Sequence, residues 1–177
     1  MIRLIPLFFV SLLIAPLVAD AQVQERVSDI TGVERFVSED LRDVDLHSYL
    51  GDDIAFRAEH ERNPMSGEEA WKLTFYGLAN SSTDFSSASR VLVWIDGQRI
   101  RANDAESRTR RMDDSVMETV TAYFSPSQFE RMANAEQLEF TIGSAEFDLS
   151  FAQRADMRSI MDMVANEPMQ HQADNDD

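Results

Sequence analysis

The sequence contains no cysteine among its 177 residues. Disulfide bonds, thiolate nucleophiles and cysteine-based metal sites are therefore excluded, and so is a lipid anchor attached to an N-terminal cysteine. Stability has to come from an apolar core. A chain of about 150 residues can build one, because it buries roughly 70% of its unfolded surface on folding.

Lysine is almost as rare as cysteine. Lys72 is the only one, against fifteen arginines and 32 acidic residues, and the formal net charge is −16. Such a chain repels phosphate groups, so we expect neither a nucleic acid nor an anionic membrane surface as a partner. The favoured explanation is a solvated acidic surface that keeps the protein soluble, a composition of halophilic type. The alternative is an acidic patch for a cationic partner or for Ca²⁺.

Histidine is also scarce, and the residues that usually carry catalysis form no recognisable motif. Neither His47 nor His60 has the spacing of a metal site or of H-E-x-x-H, and no serine lies in G-x-S-x-G. Acidic pairs are frequent, as chance predicts in so acidic a chain. They are Asp43 with Asp45, Asp52 with Asp53, Glu68 with Glu69, and Asp113 with Asp114. We predict no catalytic residue, no cofactor and no metal ion. A hydrolase that uses a carboxylate pair is the alternative.

The first 21 residues have the pattern of a secretory signal peptide. Arg3 supplies a positive charge, an apolar run covers Leu4–Val18, and small residues at Ala19 and Ala21 form a cleavage site. The apolar run is shorter than the ~20 residues that a membrane-spanning helix needs. We therefore expect an exported protein, periplasmic or extracellular, with no stable membrane anchor after cleavage.

Removal of 21 residues from 177 leaves 156, which is enough for one domain. We expect an acidic N-terminal arm over 22–50, since its apolar residues have neither helical nor strand spacing. A single β-rich globular domain should cover 51–165. The polar, acidic residues 166–177 are typical of a disordered tail.

The segment Arg90–Arg101 gives the strongest local signal. Its sequence, R-V-L-V-W-I-D-G-Q-R-I-R, places Asp96-Gly97 between two apolar runs, which predicts a hairpin with a type I′ turn. A two-residue turn fixes the register, so the predicted partners are Ile95 with Gln98, Trp94 with Arg99, Val93 with Ile100, and Leu92 with Arg101.

Further alternating runs predict strands on either side of this hairpin. The first predicted strand begins at Asp53, and further strands are predicted over 70–78, 115–124, 136–142 and 145–149. Phe85 is expected to plug the base of the loop that follows the strand over 70–78. Capping boxes at Ser125 and Ser150 predict helices over 126–135 and 151–165. The predicted fold class is α+β and mainly antiparallel β. It would be a curved sheet or small β-sandwich with one short helix and a C-terminal amphipathic helix.

The second half of the chain resembles a group of uncharacterised exported bacterial β-rich domains. S-P-S-Q-F-E-R-M-A-N-A carries an F-x-x-[hydrophobic]-A-N-A block, and a Gly-centred hairpin and a C-terminal helix follow it. The similarity covers about Trp71–Val164. It lends no catalytic residue, and it implies structural roles for the residues that match. These are Phe129, Ala133, Asn134, Ala135, Gly143, Phe147 and Leu149.

An arginine cluster that follows the hairpin is the least random feature of this acidic chain. Together with Trp94 it forms the candidate binding surface, which consists of Trp94, Arg99, Arg101, Arg108, Arg110 and Arg111. Guanidinium groups bind carboxylates and other anions, and an aromatic side chain on a polar sheet face is typical of a contact surface. The alternative is that the arginines only neutralise nearby acids. We expect a non-catalytic binding or interaction module of the cell envelope, with an envelope protein or an anionic ligand as its partner.

Overall fold

A computed structural model of the protein describes residues 23–29, 31–38, 41–48, 53–87 and 90–166. The predicted signal peptide and acidic tail lie outside the described residues, except for Asn166. Within the described ranges, no helix is long and apolar enough to cross a membrane.

The described residues form twelve strands and two helices. The strands are β1 (Val23–Val27), β2 (Glu34–Ser38), β3 (Arg42–Asp43), β4 (Asp45–Ser48), β5 (Asp53–Asn63), β6 (Glu68–Ala79), β7 (Val91–Ile95), β8 (Gln98–Arg101), β9 (Asp104–Arg111), β10 (Val116–Phe124), β11 (Leu138–Ile142) and β12 (Ala145–Asp148). The helices are α1 (Pro126–Ala133) and α2 (Phe151–Asn166).

The strands make two antiparallel sheets. Sheet A has the order β1-β2-β5-β6-β10-β9, with β3 paired to β5 beside β2, and sheet B has the order β4-β12-β11-β7-β8. The predicted fold class is confirmed: the protein is α+β, mainly antiparallel β, with a short helix and a C-terminal helix.

The core lies between the inner faces of the two sheets. Phe75 of β6 contacts Phe140 of β11 and Phe147 of β12, with ring centroids 5.1 and 5.3 Å apart. All three rings are fully buried. Alternation along each strand supplies this face, as in the run Val91, Val93 and Ile95, and sends the intervening side chains outward.

The hairpin of β7 and β8 has the predicted register, from Ile95 opposite Gln98 to Leu92 opposite Arg101. Asp96 and Gly97 both have positive φ, 49° and 77°, as a type I′ turn requires. The Asp96 carboxylate also accepts hydrogen bonds of 2.8 Å from the backbone N–H groups of Glu136 and Gln137. The turn therefore fixes the start of β11 as well.

Both helices begin at the predicted capping boxes. The hydroxyl of Ser125 accepts from the N–H of Gln128, whose side chain in turn accepts from the N–H of Ser125, and Ser150 and Gln153 repeat the arrangement. Helix α2 packs on α1 and on β2 and β5 of sheet A. Helix α2 therefore covers β2 and β5 of sheet A.

Two segments differ from the sequence expectation. The segment predicted as an arm supplies β1–β4, which pair within both sheets, and its uneven apolar spacing reflects the passage of the chain between them. The arginine-dense stretch after the hairpin, where the sequence predicted no strand, forms β9. Seven of its eight residues are exposed, because β9 is an edge strand, and an exposed edge strand lacks the alternation that marks a half-buried one.

A buried histidine gives sheet A a predicted dependence on pH. His60 is fully buried between the rings of Phe36 and Trp71, whose centroids lie 6.0 and 4.2 Å from its own. Burial lowers the pKa of His60 below the ordinary value of 6.5; Glu69 and Glu34 oppose this shift and Arg62 adds to it. His60 is therefore protonated near pH 6.5 in the unfolded chain, whereas in the folded chain it stays neutral until the pH is lower.

We expect the free energy of unfolding to fall as the pH drops below about 6.5 toward the lower folded pKa of His60. The substitution His60→Phe should flatten this pH dependence between pH 7.5 and 5.5, because the side chain no longer titrates. Urea unfolding at a series of pH values measures it. His47→Gln, which removes an exposed histidine instead, is the comparison variant, and His60→Phe should flatten the slope more than it does. An unchanged slope in His60→Phe would contradict the assignment.

Candidate binding surface

The structure divides the predicted binding residues between opposite faces of the sandwich. Trp94, Arg99 and Arg101 share the outer face of sheet B, as the hairpin register requires. Arg108 and Arg110 lie on the outer face of sheet A, opposite Thr119 and Met117 of β10. Arg111 belongs to the opposite side of β9 from Arg110, at the exposed end of that strand. The arginines that are close in sequence thus do not form one site.

The chain separates them at the corner between β8 and β9. The N–H of Ala102 still donates to Val91 of sheet B at 3.1 Å, whereas the N–H of Asn103 donates to Tyr123 of sheet A at 2.9 Å. A strand that changes sheets in this way turns its side chains toward a different side of the molecule.

The outer face of sheet B is centred on Trp94. Across the strands, Trp94 has Arg99 on one side and Glu139 on the other, and Leu92 has Arg101 and Thr141. We call this surface the Trp94 face. It consists of Leu92, Trp94, Arg99, Arg101, Glu139, Thr141, Glu146 and Asp148.

The Trp94 face carries opposite charges at its two sides. Its basic side is β8, with Arg99 and Arg101 exposed. Its acidic side is the hairpin of β11 and β12, where Glu139 stands opposite Asp148 and Thr141 opposite Glu146. Trp94 and Leu92, both half-buried, separate the two charges. The face is therefore dipolar along the direction that crosses the strands.

A basic recess of about 350 Å³ lies on the β8 side. Arg90, Leu92, Arg99, Ile100 and Arg101 line it. It combines guanidinium groups with apolar side chains and contains no carboxylate, which is the composition that suits an anionic group on an apolar stem.

An acidic recess of about 420 Å³ lies on the other side of Trp94, under the first turn of α2. The residues that line it include three acids, one arginine and two aromatic residues, namely Glu136, Glu139, Asp148, Arg154, Trp94 and the exposed Phe151. The guanidinium of Arg158 lies 4.7 Å from the Phe151 ring centroid and holds that ring from one side. Carboxylates beside aromatic rings are suited to an ammonium or guanidinium group.

Arg154 lines the acidic recess and connects the elements around it. Its side chain donates to the backbone carbonyls of Leu149 and Glu136, which joins α2 to the ends of both strands of the hairpin. Burial, and then the neighbouring charge of Arg158, lower the pKa of Arg154 below its ordinary value. Since its hydrogen bonds go to carbonyls of the protein, Arg154 is a structural residue of the recess.

The acidic side of the face was not identified from the sequence. Of the acidic pairs that the sequence analysis noted, one member lies at this side, because Asp45 of β4 is the register partner of Asp148. The other described members are exposed; they are Asp43, Asp53, Glu68, Glu69, Asp113 and Asp114. A signal for the Glu139–Asp148 pair was present, since a two-residue turn at Gly143-Ser144 places these residues opposite one another.

In the part of the chain that the structure describes, no three histidine, aspartate or glutamate side chains converge as a metal site. Comparison with protein-family models, with curated proteins and with solved structures finds no match to this chain. The resemblance to exported bacterial β-rich domains therefore depends on the sequence pattern alone.

Proposed function

We propose that the protein is an exported, non-catalytic binding module of the cell envelope, and that the Trp94 face is its binding surface. The observation that carries the proposal is the pair of recesses of opposite charge on either side of Trp94. The partner that fits is an extended polar segment, such as a peptide, with an anionic group for Arg99 and Arg101 and a cationic group for Glu139 and Asp148.

The position of Trp94 supports this proposal. Its indole is half-buried on an outer sheet face that otherwise bears mainly polar and charged side chains. Large aromatic side chains with a neighbouring arginine are the residues that most often dominate binding energy at interfaces. Opposite charges on either side fix the direction of the ligand, since reversing the ligand would bring like charges together.

We expect the double substitution Trp94→Ala with Arg99→Ala to reduce capture of the partner by about tenfold or more, because both are central side chains of the face. Capture from an envelope extract, with identification by mass spectrometry, gives the partner, and titration of the identified segment gives the affinity. The second tryptophan, Trp71, is 7% exposed in the core, so a ligand-dependent change in fluorescence reports on Trp94.

The matched control is Tyr76→Ala with Arg26→Ala, which removes an aromatic ring and an arginine from sheet A. This control should bind as the wild type does. Binding that survives loss of Trp94 and Arg99, or a partner without charged groups, would show that the Trp94 face is not the binding surface.

A hydrolase is the second candidate, because Glu139 and Asp148 stand opposite one another and line the same recess as Trp94. Two opposed carboxylates are the arrangement that glycoside hydrolases use. The substitution Glu139→Gln separates the candidates. A binding module loses affinity for a cationic group, whereas a hydrolase retains the ligand and loses its turnover.

A further inference from the structure

Among the strands that the structure describes, β9 is an open edge of sheet A. It is the last strand in the order of the sheet, it has eight residues, and all of them except Ala105 are exposed. An open edge presents backbone N–H and C=O groups that another strand can pair with.

The ladder between β9 and β10 shows which backbone groups face outward. The N–H of Met112 donates to the carbonyl of Ser115 at 2.8 Å, in the same register that places Arg110 opposite Met117 and Arg108 opposite Thr119. Hydrogen-bonded pairs alternate along an antiparallel ladder, so the even-numbered residues of β9 bond to β10. The backbone groups of Ala105, Ser107 and Thr109 therefore point away from the sheet.

The position of Ala105 agrees with this assignment. Its N–H donates to the carboxylate of the preceding residue, Asp104, at 2.8 Å. This local hydrogen bond satisfies the outward N–H group of Ala105 while no strand is paired to the edge. A carbonyl of an incoming strand can take the place of the carboxylate.

The side-chain charges on β9 change sign at Ser107, at equal distances on either side of it. Acidic residues, Asp104 and Glu106, precede it, and basic residues, Arg108 and Arg110, follow it. These four side chains share the outer face of sheet A, because they alternate with Ala105, Ser107 and Thr109. A second β9 strand turned antiparallel about Ser107 would bring Glu106 opposite Arg108 and Asp104 opposite Arg110.

We propose that two copies of this chain associate through β9, edge to edge and antiparallel about Ser107, so that their two A sheets become one continuous sheet.

Backbone and side chains support the same register. With Ser107 on the twofold axis, the outward groups of Ala105 meet those of Thr109 in the second copy, and the two strands form hydrogen-bonded pairs there. The charged residues then occupy the non-hydrogen-bonded positions, where facing side chains are closest, with Cα atoms about 4.5 Å apart. Each opposite-charge pair occurs twice because of the symmetry.

Charge complementarity favours a second copy as the occupant of this edge. The chain has a net charge of −16, so two copies repel one another over most of their surface. β9 itself carries three arginines and two acidic residues, so its net charge is positive. The electrostatic repulsion between two copies is therefore lower at this edge than elsewhere on the surface. Edge strands that only prevent association usually present lysines or other like charges, which would oppose their own copies.

Sedimentation velocity of the purified protein at a series of concentrations tests this proposal. We expect a monomer–dimer equilibrium in the wild type. Glu106→Arg places arginine opposite arginine in both symmetric pairs, and it should weaken the dimer by about tenfold or more. Arg108→Glu should weaken it similarly, because it places glutamate opposite glutamate.

Mixing these two variants is the decisive arm. In the mixed dimer, position 106 of each copy again faces a side chain of opposite charge at position 108 of the other copy. The mixture should therefore associate more tightly than either variant does alone. Circular dichroism checks that each variant is folded. Ser107→Pro provides an independent arm, since it removes an outward N–H, and proline is tolerated on edge strands.

Glu25→Arg is the matched control, because it makes the same charge change on β1, at the opposite edge of sheet A, and should leave the dimer unchanged. A wild-type protein that stays monomeric at 150 mM salt up to several hundred micromolar would overturn the proposal. So would a dimer that Glu106→Arg and Ser107→Pro leave intact, or a mixture that fails to restore association.

Discussion

Replacing Arg42 by alanine is expected to lower the free energy of unfolding by about 3–5 kcal/mol, because it leaves a buried carboxylate without its guanidinium. That carboxylate belongs to Asp156 on α2, which is 1% exposed. Arg42 of β3 holds it with two hydrogen bonds, of 2.5 Å from Nε and 3.0 Å from Nη2. Urea unfolding followed by tryptophan fluorescence measures the loss.

The size of the effect follows from where this ion pair lies. It joins two segments 114 residues apart in sequence, a two-residue strand at the edge of β5 and the C-terminal helix. A bidentate arginine–carboxylate pair gives both charge and direction to that contact. Breaking it takes a charged donor away from the carboxylate of Asp156, which is buried where water reaches it poorly, and the loss of such a donor from a buried charge is costly.

Two controls separate the charge from the packing. The double substitution Arg42→Met with Asp156→Leu removes both charges and keeps similar volumes, so it should recover most of the lost stability. Arg26→Ala, at an exposed arginine of β1, should change stability by less than about 1 kcal/mol. A loss in Arg42→Ala as small as that of Arg26→Ala would mean that Asp156 does not depend on Arg42.

The elements that the sequence predicts well are those whose signals are local. The Asp96-Gly97 turn, the capping boxes at Ser125 and Ser150, and the alternation of Val116–Phe124 each depend on residues within one turn or one strand. The hairpin register follows from turn length alone, so the neighbourhood of Trp94 and Arg99 could be predicted on one side.

What could not be predicted depends on contacts between distant segments. β9 has no apolar alternation, because it is an exposed strand at the edge of sheet A. The division of the arginines between two faces follows from the corner at Ala102-Asn103, where the chain passes from one sheet to the other. To predict the acidic side of the Trp94 face, one would have needed the order of the strands in sheet B, which places β11 beside β7. Buried polar residues such as Asp156 and Glu118 carry no mark in the sequence that separates them from the other acids.

Glu118 is the second buried carboxylate, and its partners are neutral donors in the loop between β6 and β7. It is fully buried on the inner side of β10. It accepts hydrogen bonds from the N–H of Thr83 at 3.0 Å, from the Thr83 hydroxyl, and from the Ser86 hydroxyl at 2.8 Å. Between these two residues lies Phe85, whose ring is fully buried and closes the core, as the sequence predicted.

The same loop is held from sheet B. Asp84 accepts a hydrogen bond of 2.6 Å from the hydroxyl of Ser144, in the turn between β11 and β12. Gly143 of that turn has φ of 61°, and a Cβ atom there would lie 2.7 Å from the backbone oxygen of Asp84. The close approach of loop and turn therefore needs glycine, and it places Glu118 beneath a loop that both sheets fix.

The substitution Glu118→Ala should lower the free energy of unfolding by about 3 kcal/mol, since it leaves three donors without their acceptor and opens a cavity beneath the loop. Because those donors belong to the loop, Thr83–Ser86 should also exchange its amide hydrogens faster and be cleaved sooner by a protease. Hydrogen exchange read by mass spectrometry measures this locally.

Two further variants distinguish loss of the anchor from a general loss of stability. Glu130→Ala, at an exposed glutamate of α1, should leave loop exchange at the wild-type rate. Phe85→Ala removes the buried ring and keeps the Glu118 acceptor, so it should destabilise the core while Thr83 stays bonded. If Glu118→Ala destabilised the protein without raising exchange at Thr83–Ser86, the carboxylate would be a packing residue of β10. If exchange rises there first, Glu118 anchors the loop, and the loop in turn holds Phe85 in the core.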